Sequence, residues 1–377
     1  MRELLKLFGH PEKKIFTVLI GGTKGKGSTG YFLSEILRQS GIRAGFYHSP
    51  HLVSPQERIW IGGRPVSEEA FAKGLSTIRR KLQDRRDFTY FEIMTLLASL
   101  LFKEKKVEAA VFEVGMGGRL DATHVLPVKL AVLTPIHYDH EAFLGETLKE
   151  IAREKAAILV PDREAVIAPQ LPEAAREIKK VARKRKCPIW SPLYRKGMTL
   201  KLLGDFQLLN AAVALRAASL LRARHGFPIS EEAMIRGIGS NHWPGRMEFF
   251  KGRPSILLDG AHNPKSIEAL SRNVKRLFPG KRKILVFGTS RDKRFERMIP
   301  FLAKTFQTCI LTRSDTPRSK EITTLLREAR GRFPALIPIA SSKEALALAR
   351  RLARPEDLIV VTGSFYLIGE VRSLCRN

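Results

Sequence analysis

Short apolar runs bounded by glycine and polar residues alternate along this chain with longer segments of helical periodicity. KIFTVLI (14–20), VEAAVFEV (107–114) and VKLAVLT (128–134) hold few polar positions, as expected of strands buried on both faces. RAGFYH (43–48) and the AVIA stretch are shorter versions of the same pattern. Helices are predicted at 29–41, closed by Gly41, near 67–83, at 90–104 and near 147–159, with a strongly basic one at 172–186. The segment 204–221 (GDFQLLNAAVALRAASLL) reads as an amphipathic helix whose apolar start is interrupted by Gln207 and Asn210. This alternation predicts a mostly parallel sheet with helices on both faces.

A second α/β unit follows HWPGRMEFFKGRP. It contains the strand PSILLDG (254–260), a helix from about 264, KILVFGTS, a helix at 292–304, QTCILT, helices at 319–331 and 341–352, and LIVVTGS (358–364). Glycine, proline and basic residues around 248–254 interrupt the apolar pattern, which divides the chain into 1–250 and 251–377. A length of 377 residues suits two domains and supplies apolar material for two cores.

Composition narrows the partners. The 66 Lys and Arg residues outnumber 37 Asp and Glu, for a formal charge of +29 that favours anions. The basic residues are dispersed through helices, without an aromatic–basic RNA module or a finger spacing. Most of this charge reads as solvated helix faces, the remainder as a funnel for a small polyanion or general nucleic-acid affinity, so no specific nucleic acid is expected. The opening MRELLKLFGHPEKK lacks a signal pattern and no apolar run is long enough to span a bilayer. Three distant cysteines, Cys187, Cys309 and Cys375, fit a reducing compartment, and a cytoplasmic protein without a membrane partner is expected.

GGTKGKGST (21–29) lies between a strand and a helix, the order a phosphate loop needs, yet it misses the commonest such loop because Gly27 separates Lys26 from Ser28. A ligand-free glycine turn is the alternative. Glu113 ends a hydrophobic strand, where an acid can hold Mg2+ or cap its own turn. Asp121 suits substrate binding and loop fixing equally. His137, Asp139 and His140 invite a zinc reading, but their spacing is not that of a zinc helix, and one histidine assisting Mg2+ fits better. Lys155 is either a solvated lysine or, if buried beside cations, an amine of lowered pKa that can take up CO2 as a carbamate. The amides of Gln207 and Asn210 can read an adenine edge or cap a helix. Arg246 can grip phosphate, and with Asp259, His262 and Asn263 it implies a cleft that closes over a reaction.

The ordered set GTKGKGS (22–28), SPHL (49–52), TYFE (89–92), EVGMGGRLDATH (113–124), DH (139–140), AREKAAI, WPGRME, DGAHNP and TGSFYLIGEVR resembles the folylpolyglutamate synthase and dihydrofolate synthase family of the Mur ligase superfamily over nearly the whole chain. In that family one residue separates the loop lysine from the hydroxyl. The resemblance implies a Mur-ligase-type P-loop domain with a mostly parallel sheet, followed by a smaller Rossmann-like α/β domain. It implies ATP and Mg2+ as cofactors and L-glutamate, dihydropteroate and reduced folates or folylpolyglutamates as substrates, in a monomer. By carry-over, Thr23, Gly25, Lys26, Gly27 and Ser28 are phosphate binders, and Ser49, Glu113 and His140 are metal ligands. Lys155 corresponds to a carbamylated lysine. Asn210, Arg246 and Asp259 contact ATP, with His262 near the transferred phosphate. Thr89, Tyr90, Phe91 and Glu92, with Leu120, Asp121 and Ala122, resemble dihydropteroate-holding segments.

The implied reaction forms an amide between a folate carboxylate and the amine of glutamate through an acyl phosphate. Lys24, His124, Ala157 in AREKAAI and Phe206 depart from the family pattern, which bears on the pterin contacts more than on the ligase chemistry. The chain is also shorter than many relatives between Lys155 and Asn210. Two alternatives stand: a Mur-like ligase acting on another carboxylate, and a basic nucleic-acid-binding ATPase.

Overall fold

A computed structural model describes residues 1–83, 85–240 and 243–376. The chain forms two compact units. The first holds residues 1–51, 55–201 and 206–240, and the second holds 52–54, 202–205 and 243–376.

The first unit is built on eight strands, β1 (Phe16–Gly21), β2 (Ala44–Tyr47), β3 (Ile59–Ile61), β4 (Arg64–Pro65), β5 (Ala109–Glu113), β6 (Val128–Leu133), β7 (Ala165–Ile167) and β8 (Ile189–Trp190). Their order is β4-β3-β2-β5-β1-β6-β7-β8, with every neighbouring pair parallel except β2–β3 and β3–β4, so only β3 runs against the rest. Ile20 pairs with Glu113 on one side of β1, and Gly21 with Leu133 on the other, so the C-terminal ends of β5, β1 and β6 lie side by side. The short strands β3, β4 and β8 escape periodicity because two or three residues cannot show an alternation.

Two helices differ from expectation. The helix expected from residue 29 begins at Lys26 and runs to Gln39, which puts the loop lysine in its first turn. The segment expected to be amphipathic is a helix from Phe206 to His225 that is buried around most of its circumference from Asn210 to Leu221. Alanines at 211, 212, 214, 217 and 218 keep that rod thin enough to bury.

The helix Glu231–Ile238 crosses Lys26–Gln39 at Gly237, where a Cβ would stand 2.6 Å from the backbone N and Cα of Ile36. Gly237→Ala is expected to cost about 1–3 kcal/mol by overpacking. A urea midpoint equal to wild type would show that the crossing yields without cost.

The second unit has β9 (Glu248–Phe250), β10 (Ser255–Asp259), β11 (Lys283–Phe287), β12 (Thr308–Arg313), β13 (Ala335–Ser341) and β14 (Leu358–Thr362), ordered β13-β12-β11-β14-β10-β9. Only β9 runs antiparallel, pairing with β10; the expected division after residue 250 falls at the end of this strand. β13 carries Pro338, which argues against a central strand, and β13 lies at the edge where a missing N–H is tolerated. The helix expected at 292–304 is a 3₁₀ turn, Phe295–Arg297, followed by Ile299–Ala303 with Pro300 at its start. The helix after β10, Pro264–Leu277, opens with Asn263 and Ser266 in reciprocal capping. Among the described residues, no helix is long and apolar enough to cross a membrane.

Candidate active site

In the first unit, β2, β5, β1 and β6 are successive neighbours, so the segments leaving them emerge along one sheet edge, where open parallel sheets place their ligands. Those segments carry Ser49, Glu113 to Asp121, Gly22 to Ser28, and His137 to His140.

The glycine loop turns at Gly25, with φ +87°, directly into the helix starting at Lys26. Thr29 N–H donates to Gly25 O at 2.8 Å. The N–H groups of Lys26, Gly27 and Ser28 precede that bond and lie at the positive end of the helix, an arrangement suited to phosphate. Lys26 Nζ stands 3.9 Å from Glu113 Oε1, and Ser49 N–H donates to Glu113 Oε2 at 3.4 Å. Three residues singled out from separate motifs therefore meet. Glu113 is 4% exposed. A buried carboxylate facing a phosphate-loop lysine fits Mg2+, a hard ion that keeps phosphate and water oxygens among its ligands.

Asn210 approaches the same loop from the helix Phe206–His225. A Cβ on Gly25 would overlap Asn210 Oδ1, while Asn210 Nδ2 donates to Gln207 Oε1 at 2.9 Å. Thr23 ties the loop to the segment after β6: its Oγ1 donates to His137 O at 3.2 Å and accepts from His137 N–H at 3.1 Å. His140 adopts a left-handed backbone, φ +55°, with Nε2 3.9 Å from Asp139 Oδ1. Among the described residues no group of three or more His, Cys, Asp or Glu side chains is placed to hold a metal, so His137, Asp139 and His140 do not form the zinc cage their spacing invites.

Lys155 is buried at 3% exposure on the helix Leu148–Ala156, whose start is fixed by a Thr147–Glu150 capping box. Its Nζ donates to Gly22 O at 3.2 Å. Burial, reinforced by the charge of Lys26 and opposed by Asp139 and Asp121, lowers its pKa to about 7. The solvated-lysine alternative does not hold.

The TYFE and LDA segments divide between support and exposure. Thr89 and Glu92 cap the helix Tyr90–Glu104 reciprocally, with Thr89 N–H donating to Glu92 Oε2 at 2.9 Å. Phe91 packs against Gly115, which brings the two segments together. Asp121 Oδ1 accepts from Thr123 N–H, and Oδ2 from Met116 N–H, each at 3.0 Å. This is the loop-fixing role. Ala122 is buried at the start of a 3₁₀ turn. Tyr90 and Leu120 are the outward members, Leu120 at 82% exposure, and the Arg58 guanidinium sits 5.3 Å over the Tyr90 ring.

Within the second unit, Asp259 ends β10 and is buried, which raises its pKa. Its Oδ2 accepts from Met247 N–H and its Oδ1 from Ala261 N–H, both at 2.9 Å. His262 Nδ1 lies 2.8 Å from Gly260 O, a carbonyl that can only accept, and so carries a proton there. Phe365 serves both neighbours: the Arg246 guanidinium lies 4.4 Å from its ring centre and the His262 ring 5.9 Å away.

Sequence reasoning missed Phe365, Thr134 and Gln170. Thr134 Oγ1 donates to Gly21 O at 3.1 Å, and Gln170 Nε2 donates to Thr134 O at 3.2 Å, bracing the glycine loop from behind. A polar residue closing each apolar run, as in VKLAVLT, was the available signal for Thr134.

Residues 20–195 match the Mur ligase middle domain, and residues 245–365 the Mur ligase glutamate ligase domain. The dihydrofolate synthase/folylpolyglutamate synthase of Bacillus subtilis is 31% identical over 409 residues, covering 99% of this chain and 93% of that protein. The Mycobacterium tuberculosis folylpolyglutamate synthase complexed with ADP and AMPPCP superposes with a TM-score of 0.90 at 28% identity, over 99% of this chain and 94% of that one. The Escherichia coli FolC in complex with DHPP and ADP superposes with a TM-score of 0.88 at 30% identity, over 98% and 91%.

Proposed function

Since the chain belongs to the dihydrofolate synthase/folylpolyglutamate synthase family of Mur ligases, we infer that it is an ATP-dependent amide ligase that adds L-glutamate to dihydropteroate and to reduced folates. ATP and Mg2+ are its cofactors. The observation that carries the reading is the meeting of Lys26, Glu113 and Ser49 at the helix start, with buried Lys155 behind the same loop.

The folate carboxylate oxygen attacks the terminal phosphorus of ATP, the bond to the bridging oxygen breaks, and ADP leaves with the electron pair. The amine of glutamate then attacks the acyl carbon of the resulting acyl phosphate. Inorganic phosphate departs and the nitrogen loses a proton. Such chemistry depends on positioning and charge stabilisation more than on covalent help from the protein.

Lys26 and the N–H groups of Gly25, Gly27 and Ser28, with Thr23 holding the loop, bind the phosphates. Ser49, Glu113 and His140 would hold Mg2+, which would supply neutralisation of the phosphate charge. Lys155 acts as its carbamate. Asn210, Arg246 and Asp259 are assigned to ATP and His262 to the transferred phosphate, on the strength of the motifs they occupy. In the folate segments, the exposure of Tyr90 and Leu120 supports direct contact, while Thr89, Glu92 and Asp121 keep the segments in shape. The phosphate loop is assigned to the first unit and closure to the second, which takes in β9 and so begins before the expected boundary at 250. The protein works as a cytoplasmic monomer, and its three buried free thiols suit a reducing compartment.

The test is mass-resolved product formation with ATP, Mg2+ and L-glutamate, supplying dihydropteroate and tetrahydrofolate separately. Addition of one glutamate mass to both is expected. Addition to tetrahydrofolate alone would narrow the activity to chain extension, and addition to neither would overturn the folate reading.

A further inference from the structure

The ligase chemistry leaves most of the positive charge without a role, and one part of it is concentrated in a way that composition cannot reveal. Along the helix Pro172–Lys184 and the turn after it, Arg176, Lys179, Lys180, Arg183, Lys184 and Lys186 are all exposed. Among the described residues none of these six has a carboxylate within 4.0 Å, whereas Arg153 nearby is neutralised by Glu177 at 2.8 Å. Arg176, Lys180 and Lys184 form a row with a repeat of about 6 Å along the helix axis.

Two depressions flank the end of this helix. One, of about 650 Å³, has Lys180, Lys184 and Lys186 on its wall, with the carboxylates of Asp162 and Glu177 and with Arg119 and Arg153, which are paired to Glu154 and Glu177. The other, of about 450 Å³, has a floor of Ala182, Cys187, Pro188 and Ile189 under the cations Lys179, Arg183 and Lys186. Lys186 belongs to both, so a flexible polyanion can pass from one to the other around the helix end. Ile189 is 42% exposed in that floor.

We propose that this face is a binding surface for single-stranded nucleic acid, holding phosphates in the cationic depression and an unstacked base on the apolar floor, without reading sequence. Lysine ammonium groups on flexible stems attract phosphate as point charges and fix no unique geometry, which suits a repeating backbone. Apolar atoms beside these cations can meet the flat face of a base while the cations hold its phosphate, an aliphatic platform where single-strand sites usually carry an aromatic one. A duplex keeps its bases stacked away from such a floor. A polycarboxylate chain has no ring to place there.

Binding of a labelled oligouridylate of about twelve nucleotides, within the span of one such site, is measured by fluorescence anisotropy on the full-length protein. Affinity is expected to fall steeply between about 50 and 200 mM salt. The triple variant Lys180→Glu, Lys184→Glu, Lys186→Glu is expected to lose at least tenfold in affinity while keeping wild-type ligase turnover and melting temperature. Ile189→Ser is expected to lose a smaller factor, about threefold, with the salt slope unchanged. Any of four results overturns the proposal: no binding at low salt, equal binding by the triple variant, equal binding by Ile189→Ser, or equally tight binding of the matching duplex, of phosphatidylserine vesicles or of poly-L-glutamate.

Discussion

Replacing Lys155 by methionine abolishes most ligation, by at least about a hundredfold in kcat, a loss of the size seen when one group stabilising a charged transition state is removed, and leaves the fold intact. The amine is buried, donates to Gly22 O and feels the charge of Lys26, which together lower its pKa to about 7. An ordinary lysine, with a pKa near 10.4, is almost entirely charged at neutral pH and unreactive toward CO2. Here a large fraction is neutral, and uptake of CO2 by that neutral amine, with loss of one proton, would place an anion beside Lys26 in place of the poorly tolerated ammonium.

The sign of the pH effects follows. Below about pH 7 the folded protein must hold a charged, desolvated ammonium, so the stability penalty is greatest there; it is relieved as pH rises from about 7 toward the unfolded value. Lys155→Met, which keeps the volume, should therefore melt at or above the wild-type temperature at pH 6. Wild-type turnover in CO2-depleted buffer should fall as pH drops through about 7 and recover on adding bicarbonate, a response the variant lacks. Unchanged turnover in Lys155→Met, with folate and glutamate bound, would sink the assigned role.

Gly25→Ala is expected to raise the KM for ATP by tenfold or more and to lower kcat as well. At φ +87° a side chain costs roughly 1–2 kcal/mol of strain. The added Cβ also overlaps Asn210 Oδ1, and Asn210 is held by its bond to Gln207 in a buried position. One of three things must move: the loop, the Asn210 amide, or the start of the helix carrying Lys26. Each degrades phosphate or adenine contacts more than folate contacts. Steady-state kinetics at saturating folate and glutamate, with calorimetric titration of ADP, measures the effect. A KM for ATP within twofold of wild type would show that Gly25 is not at the nucleotide.

What the chain discloses before folding depends on the distance over which a residue's role is set. Runs such as VKLAVLT disclose burial on both faces, so the central strands and the α/β class were legible. Their neighbours were not, because periodicity measures burial and carries no information on which strand lies beside which. The start of the loop helix was misplaced by three residues: Lys26, Gly27 and Ser28 make a poor helical turn by propensity, and the turn is imposed by the loop around it. Glu113 and Lys155 were singled out from their position at the end of a strand and within a motif, and both are buried. The burial that separates a working Lys155 from a solvated one appears only once β1 and the helix Leu148–Ala156 are packed. Gln170 and Phe365 act through partners far along the chain, and no local pattern marks them; for Thr134 the one local sign is its place at the end of an apolar run.

The assignment of residues 52–54 and 202–205 to the second unit bears on how the protein can be made and cut. Leu52 lies against Gly369 and Gly245, and Asp205 exchanges hydrogen bonds with Asn273 and receives two from Arg272. During synthesis from the N-terminus, Leu52 and Asp205 leave the ribosome before β10, and must wait for partners not yet translated. No contiguous fragment carries the second unit whole. A gene fragment encoding only residues from 243 onward omits both contributions, so exchanging this unit between relatives requires transplanting three stretches of chain together.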